Sequence, residues 1–267
     1  MDLTYPDDLL VITAQKLGAT GNAVISGVFI DPLPGPPGVT FMELDRVTRG
    51  NWMGMYGSDW HVLFAQNLLP DLPGVGPSYT NSGYVTADPR DNVGGNYAGL
   101  VTYGVLNGFR YAWSETQGDD CGNVYSWIWA TPGDDGMAPG TTTIDPRALM
   151  VPELNGRVPA AWNDGGERYP GVGYPNLYVH LEIPAGYFLM AIYALDFDNG
   201  NRSQTYSLFN ADTGQLLGAG SAALNGGGKY SLFNVVGPLN LTIEAKNTTG
   251  TNAVISGLFF DLIGSGC

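Results

Sequence analysis

The chain has 267 residues and a formal net charge of −14, from 25 Asp and Glu against 11 Lys and Arg, with 39 Gly and 18 Pro. That balance excludes a nucleic-acid partner and an anionic membrane surface, since both need clustered Lys and Arg. Hydrophobic residues still make up 44%, which describes a real core joined by many Gly and Pro turns rather than a disordered tail.

At the N-terminus, Asp2, Asp7 and Asp8 stand where a secretory signal has its basic and apolar regions, so no signal peptide is expected. No run of about 18 apolar residues occurs, so no membrane insertion is expected either. Leu9–Gln15 and Ala23–Ile30 are the first strand-like runs. They read as a β-hairpin within residues 1–31, with Val24, Ile25, Val28, Phe29 and Ile30 as its apolar body. Residues 32–39 (PLPGPPGV) form a semi-rigid connector, and residues 40–267 form the main domain.

Leu68–Asn96, Gly133–Thr142 and Asp164–Pro175 are rich in Gly, Pro or Asp and read as long loops. Tyr125, Trp127 and Trp129 alternate, so a strand there places all three on one face. This stripe reads either as a carbohydrate-stacking platform or as core or interface packing. Leu177–Ile183, Gln204–Phe209 and Asn240–Ala245 alternate apolar and polar at period two, as half-buried strands do. Tyr187–Leu195 is nearly all apolar, as in a central strand covered on both faces. Turn clusters at Asp198–Asn201, Ala211–Gly214 and Asn225–Gly228 separate these runs. No stretch of about 12 residues shows an amphipathic helical pattern. The expected class is all-β, an antiparallel β-sandwich.

Asp196, Asp198 and Gly200 alternate at a strand end and present hard oxygen ligands, so calcium is the cation such a cluster would take. The bidentate acid that closes an EF-hand loop is missing, since Ser207 stands at that position. The other reading is a turn with Arg202 forked onto Asp196 or Asp198, and it is the one favoured. Beyond calcium, no cofactor is expected. Two cysteines, Cys121 and Cys267, are too few for a disulfide framework or a thiolate zinc site. The P-loop, Rossmann, nucleophile-elbow and zinc-protease patterns are missing, and His61 and His180 lie in unrelated contexts. Glu153, Glu167 and Glu182 would matter to a glycosidase only with the right geometry. No catalytic residue is assigned and no enzyme is expected.

The chain carries an internal duplication. Residues 12–31 read ITAQKLGATGNAVISGVFID, and residues 243–261 read IEAKNTTGTNAVISGLFFD. Asn22–Gly27 recurs identically at Asn252–Gly257, 230 residues later, too far apart for a solenoid repeat. The N-terminal hairpin therefore reads as the last two strands of a β-domain, present a second time. A lone hairpin is marginal in water, so it must cover its apolar face on its own domain or on a neighbour by strand exchange.

Several motifs are spread along the main domain. They include Arg49-Gly50-Asn51-Trp52, Tyr56-Gly57-Ser58-Asp59, Tyr111-Ala112-Trp113, Asp145-Pro146-Arg147-Ala148-Leu149 and Arg157–Trp162. Tyr193–Asp198, Arg202-Ser203-Gln204 and Asn252–Asp261 complete the set. With these residues the chain resembles a galactose-binding-like β-sandwich module of bacterial surface and secreted proteins and of phage virions. The resemblance implies a jelly-roll-like sandwich with an accessory role and no settled activity, in which Trp52, Trp113 and Trp162 pack the core. It covers residues 40–263, with longer insertions at 68–96 and 117–143.

An acidic β-protein of exterior type without an export signal suits a virion, which is assembled inside the cell and released by lysis. A piece of a larger secreted protein is the competing explanation, so the expected location is virion or extracellular. The first expectation is a structural or decoration protein that meets copies of itself or other virion or surface proteins through sheet edges. The second is an adhesion module that binds cell-surface glycans. A glycoside hydrolase or lyase comes third.

Overall fold

The computed structural model describes residues 36–66, 85–86, 91–97, 99–113, 145–154, 156–164 and 176–263. Within them the chain forms fifteen strands, one short 3-10 turn at Pro152–Leu154 and no α-helix. In chain order the strands are β1 (Gly38–Asp45), β2 (Trp60–Leu63), β3 (Val85–Thr86), β4 (Asn92–Gly94), β5 (Thr102–Leu106), β6 (Phe109–Ala112), β7 (Leu149–Val151), β8 (Gly156–Val158), β9 (Ala160–Asn163), β10 (Leu177–Leu195), β11 (Ser203–Asn210), β12 (Leu216–Ala223), β13 (Gly228–Thr249), β14 (Val254–Ile255) and β15 (Gly257–Leu262).

All described pairings are antiparallel. The large sheet runs β12-β11-β13-β10-β15-β2-β4, with β1 added to β13, β5 to β10 and β3 to β5. A three-stranded sheet, β14-β9-β6, and the pair β7–β8 accompany it.

The two long strands β10 and β13 pair from Leu177 opposite Ala245 to Leu195 opposite Gly228. Each far edge carries two strands end to end. On β10 these are β5, along Tyr178–Glu182, and β15, along Phe188–Tyr193. On β13 they are β11, along Leu241–Thr249, and β1, along Tyr230–Val236. The register slips between Ile183 and Gly186, where Pro184 has no N–H to give the ladder. Opposite the slip the backbones come so close that a Cβ on Gly237 would sit 1.9 Å from the Pro184 carbonyl oxygen.

The slip divides β10 into two halves of different character. Leu177, Val179, Leu181 and Ile183 are buried, and Tyr178, His180 and Glu182 between them are not. From Met190 to Leu195 every residue is buried, on both faces. The two hydropathy patterns in the sequence therefore belong to one continuous strand. The alternating half has one solvated face, and the apolar half is covered on both.

Trp60, Trp162, Phe188, Phe233, Phe259 and Phe260 fill the core, and Trp52 and Trp113 are buried with them. Burying each such side chain contributes about 1.5–3 kcal/mol.

The sequence reading named no strand over β1, β2, β5–β9 or β12, its connector 32–39 includes the first two residues of β1, and one of its loops holds strands. Residues 68–96 read as loop, yet β3 and β4 fall within them. Strand β12 was not expected, because Leu216–Ala223 is mostly Gly and Ala. Those small residues answer to packing. A Cβ on Gly218 would lie 3.1 Å from the Val39 carbonyl oxygen, and one on Gly220 2.9 Å from the Phe41 ring.

A methyl group at the Pro184–Gly237 crossing has nowhere to go without moving backbone. Gly237→Ala is expected to cost about 1–3 kcal/mol of stability, measured by urea unfolding.

Candidate functional site

Arg202 sits at the start of the loop edge beside β11 and is 1% exposed, while Asp196 at the end of β10 is fully buried. Its Nη1 donates to Asp196 Oδ1 at 2.5 Å and to Asp198 Oδ1, and its Nη2 donates to Asp198 Oδ2 at 3.3 Å. The Nε donates to Asn252 Oδ1 at 2.6 Å. Asp196 is further satisfied by the N–H groups of Gly200 (2.8 Å), Gly226 (2.9 Å) and Arg202 (3.2 Å). Burial alone would lower the Arg202 pKa, but the hydrogen bonds and charges of Asp198 and Asp196 outweigh it and raise it.

Asp196, Asp198 and Gly200 are thus brought together around a guanidinium. Gly200 presents an N–H donor, not a carbonyl, to Asp196. This donor set does not fit a calcium ion, because Arg202 takes the place a cation would need. Among the described residues no group of three or more His, Cys, Asp or Glu could hold a metal ion.

The other quoted motifs meet at the apolar end of the β10–β13 ladder. Trp52 Nε1 donates to the Met150 carbonyl at 2.8 Å, and Gly50 N–H donates to the Pro146 carbonyl at 2.9 Å. Arg157 bonds the Ala148 carbonyl and the Asn51 side chain. Arg147 forks onto Asp145, donates to the Gly226 carbonyl, and lies 4.9 Å from the Phe197 ring centre. The rings of Tyr56, Tyr230 and Tyr193 run between them, tilted against one another, with centres 4.7 and 4.5 Å apart. Their hydroxyls donate to Asp45, the Arg49 carbonyl and the Arg147 carbonyl in turn. The hydrogen bonds of this cluster run between parts of the same domain, with Asn51 at its exposed rim.

The closing segment, Asn252–Asp261, is held by specific side-chain bonds at both ends. Asn252 takes Arg202 and donates to Asn163 Oδ1 at 3.1 Å. The Gln204 carboxamide pairs with both backbone groups of Val254 at 2.8 Å. Phe259 packs on Trp52, His61 and Tyr230, and Phe260 on Trp60 and Phe188. Asp261 accepts from Gly57 N–H, Ser58 N–H and Ser58 Oγ, each at 2.7 Å. Asp59 returns the contact by accepting from Leu262 N–H at 2.7 Å.

A polar strip, missed by the sequence reading, lies on the outward face of the other half of the ladder. Tyr178 is opposite Glu244 and His180 opposite Thr242, with Ser207 and Phe209 next across β11. Tyr178 Oη and Asn176 Nδ2 both donate to Glu244 Oε1, at 2.9 and 2.7 Å. The signal for it was the polar half of the alternation in LYVHLEI and NLTIEA. Glu182 belongs to this face, opposite Asn240, whereas Glu153 is remote and accepts from Asn92 at 2.6 Å.

Tyr125, Trp127 and Trp129 lie outside the described residues, as do Glu167 and the hairpin residues Val24, Ile25, Val28, Phe29 and Ile30. No protein family, no curated protein and no solved structure matches the chain.

Arg202→Met leaves Asp196 and Asp198 buried without a counter-charge, and a loss of about 3–5 kcal/mol is expected by urea unfolding. The acid limb of stability has two parts. Burial pushes the His61 imidazole below its ordinary value of 6.5, and the Gly57 carbonyl, Glu153 and Asp261 oppose this only in part. The unfolded chain then binds that proton more tightly, so the stability from neutral His61 is complete above about pH 6.5 and is lost as pH falls through the lowered folded value. Asp45 and Asp145 are pulled up by burial, but hydrogen bonds from Thr48, Val47 and Tyr56 to the first and from Arg147 to the second hold both below 3.8. Their contribution is lost only at more acid pH. Calorimetry across pH is expected to show Tm declining from about pH 6.5, and in His61→Gln only from the carboxylate range.

Proposed function

We propose that this chain is a non-enzymatic structural or decoration protein of a virion or similar extracellular assembly. In this reading it is a jelly-roll-like, galactose-binding-like sandwich joined to its neighbours through β-sheet contacts. The observation that carries it is the duplication. The segment that closes the domain at Asn252–Asp261 is present a second time at Asn22–Asp31, and one domain needs only one. Strand β12 adds support. It ends the large sheet, pairs among the described residues only with β11, and has neither charge nor proline along Leu216–Ala223. Such an edge is a template for strand addition. The absorption of Asp196, Asp198 and Asp145 into hydrogen bonds with Arg or backbone N–H groups favours an architectural role over a catalytic one.

A second reading is a carbohydrate-binding adhesion module, favoured by the strip of Tyr178, His180, Thr242, Glu244 and Phe209. Aromatic faces with flanking carboxylate and hydroxyl groups are the chemistry that holds sugar rings.

Light scattering after gel filtration separates the two. The assembly reading expects a defined oligomer for the full chain, lost when residues 1–33 are deleted. A monomer in both cases would overturn it and turn attention to a glycan array.

A further inference from the structure

We infer that residues 22–31 are a second closing segment, able to enter the acceptor that holds residues 252–261 in another copy of this chain. The inference rests on the assembly reading and names its contact. The acceptor is built by β10, β2 and β9 along the backbone, with Arg202, Gln204 and Gly57–Ser58 as its polar locks.

The duplication falls on the residues those locks require. Asn22 stands for Asn252, the partner of Arg202 and Asn163. Asp31 stands for Asp261, the acceptor of three bonds from Gly57 and Ser58. Gly27 stands for Gly257, where an added Cβ would lie 3.1 Å from Leu149 Cδ1 and from the Phe259 ring. Phe29 stands for Phe259, which packs on Trp52, His61 and Tyr230. A strand kept only for its β-propensity would preserve alternation. It would not preserve an Asn and an Asp at its two ends and a Gly where space is lacking.

Two positions in this stretch differ, Val28 for Leu258 and Ile30 for Phe260. Both stay apolar and become smaller, so the N-terminal copy enters without overfilling. It buries slightly less surface. The chain's own segment therefore competes for the acceptor, and the balance between the two shifts toward exchange between copies as concentration rises, as in domain swapping.

The test weakens the chain's own lock in the full-length protein. Asn252→Ala/Asp261→Ala is expected to remain folded and to shift to a concentration-dependent dimer by light scattering. Adding Asn22→Ala/Asp31→Ala is expected to abolish the dimer and lower Tm further. A double variant that stays folded with unchanged mass overturns the inference. So does a dimer that is indifferent to residues 22 and 31.

Where the double variant does not fold, the decision falls to disulfide trapping between otherwise intact chains. Val28→Cys chains are mixed at high concentration with Val62→Cys chains, both carrying Cys121→Ser and Cys267→Ser. Position 62 faces Leu258 in the domain, so a disulfide-linked dimer is expected, and its absence overturns the inference. An oligomer that collapses on deleting residues 1–33 while failing these tests keeps the assembly reading and removes the exchange.

Discussion

The β10–β13 ladder is the constraint on which the rest of the domain depends. The strands span 19 and 22 residues, where most strands run about 3–10. Pairs of this length persist because each half has its own flanking strands and its own covered face. β5 and β11 flank the end with one solvated face. β15 and β1 flank the end buried on both. The slip at Pro184–Gly186, with Gly237 pressed against it, lets one pair of strands serve both environments.

Burial on both faces at one end has an electrostatic consequence. The turns that cap that end carry charges, and the charges must be satisfied inside the domain. Asp196, Asp198 and Arg202 do so together, with backbone N–H groups completing Asp196. Arg147 with Asp145, and Asp261 with Gly57 and Ser58, solve the same problem nearby. A half-satisfied version would be worse than an apolar one. This explains why the polar motifs along the chain converge in space. Among the described residues, the outward strip of the other half stands apart from these interior pairs.

In the proposed assembly, the closing segment is the part of this architecture that matters most. It ties β10 to β2 and the Gly57–Asp59 turn, and it delivers Asn252 to Arg202. A segment that completes so many contacts at once is an effective fastener, whether it comes from its own chain or from a neighbour's.

The all-β class and the longest strands were legible in the sequence. Local alternation identified the faces of β10, β11 and β13, since side-chain direction in a strand depends only on residue parity. The all-β class and the turns followed from Gly, Asn and Asp placed between apolar runs. The duplication needed no structure at all. Strands β12, β3 and β4 were not legible, because two-residue and three-residue strands leave no periodic signal, and Gly218 and Gly220 answer to Val39 and Phe41 from a distant part of the chain. The joining of Leu177–Ile183 to Tyr187–Leu195 was likewise a tertiary decision, made by continuous pairing with β13 across a proline. So was the meaning of Asp196 and Asp198. Spacing alone made them metal ligands or an ion pair, and the packing that buries Arg202 between them decided which.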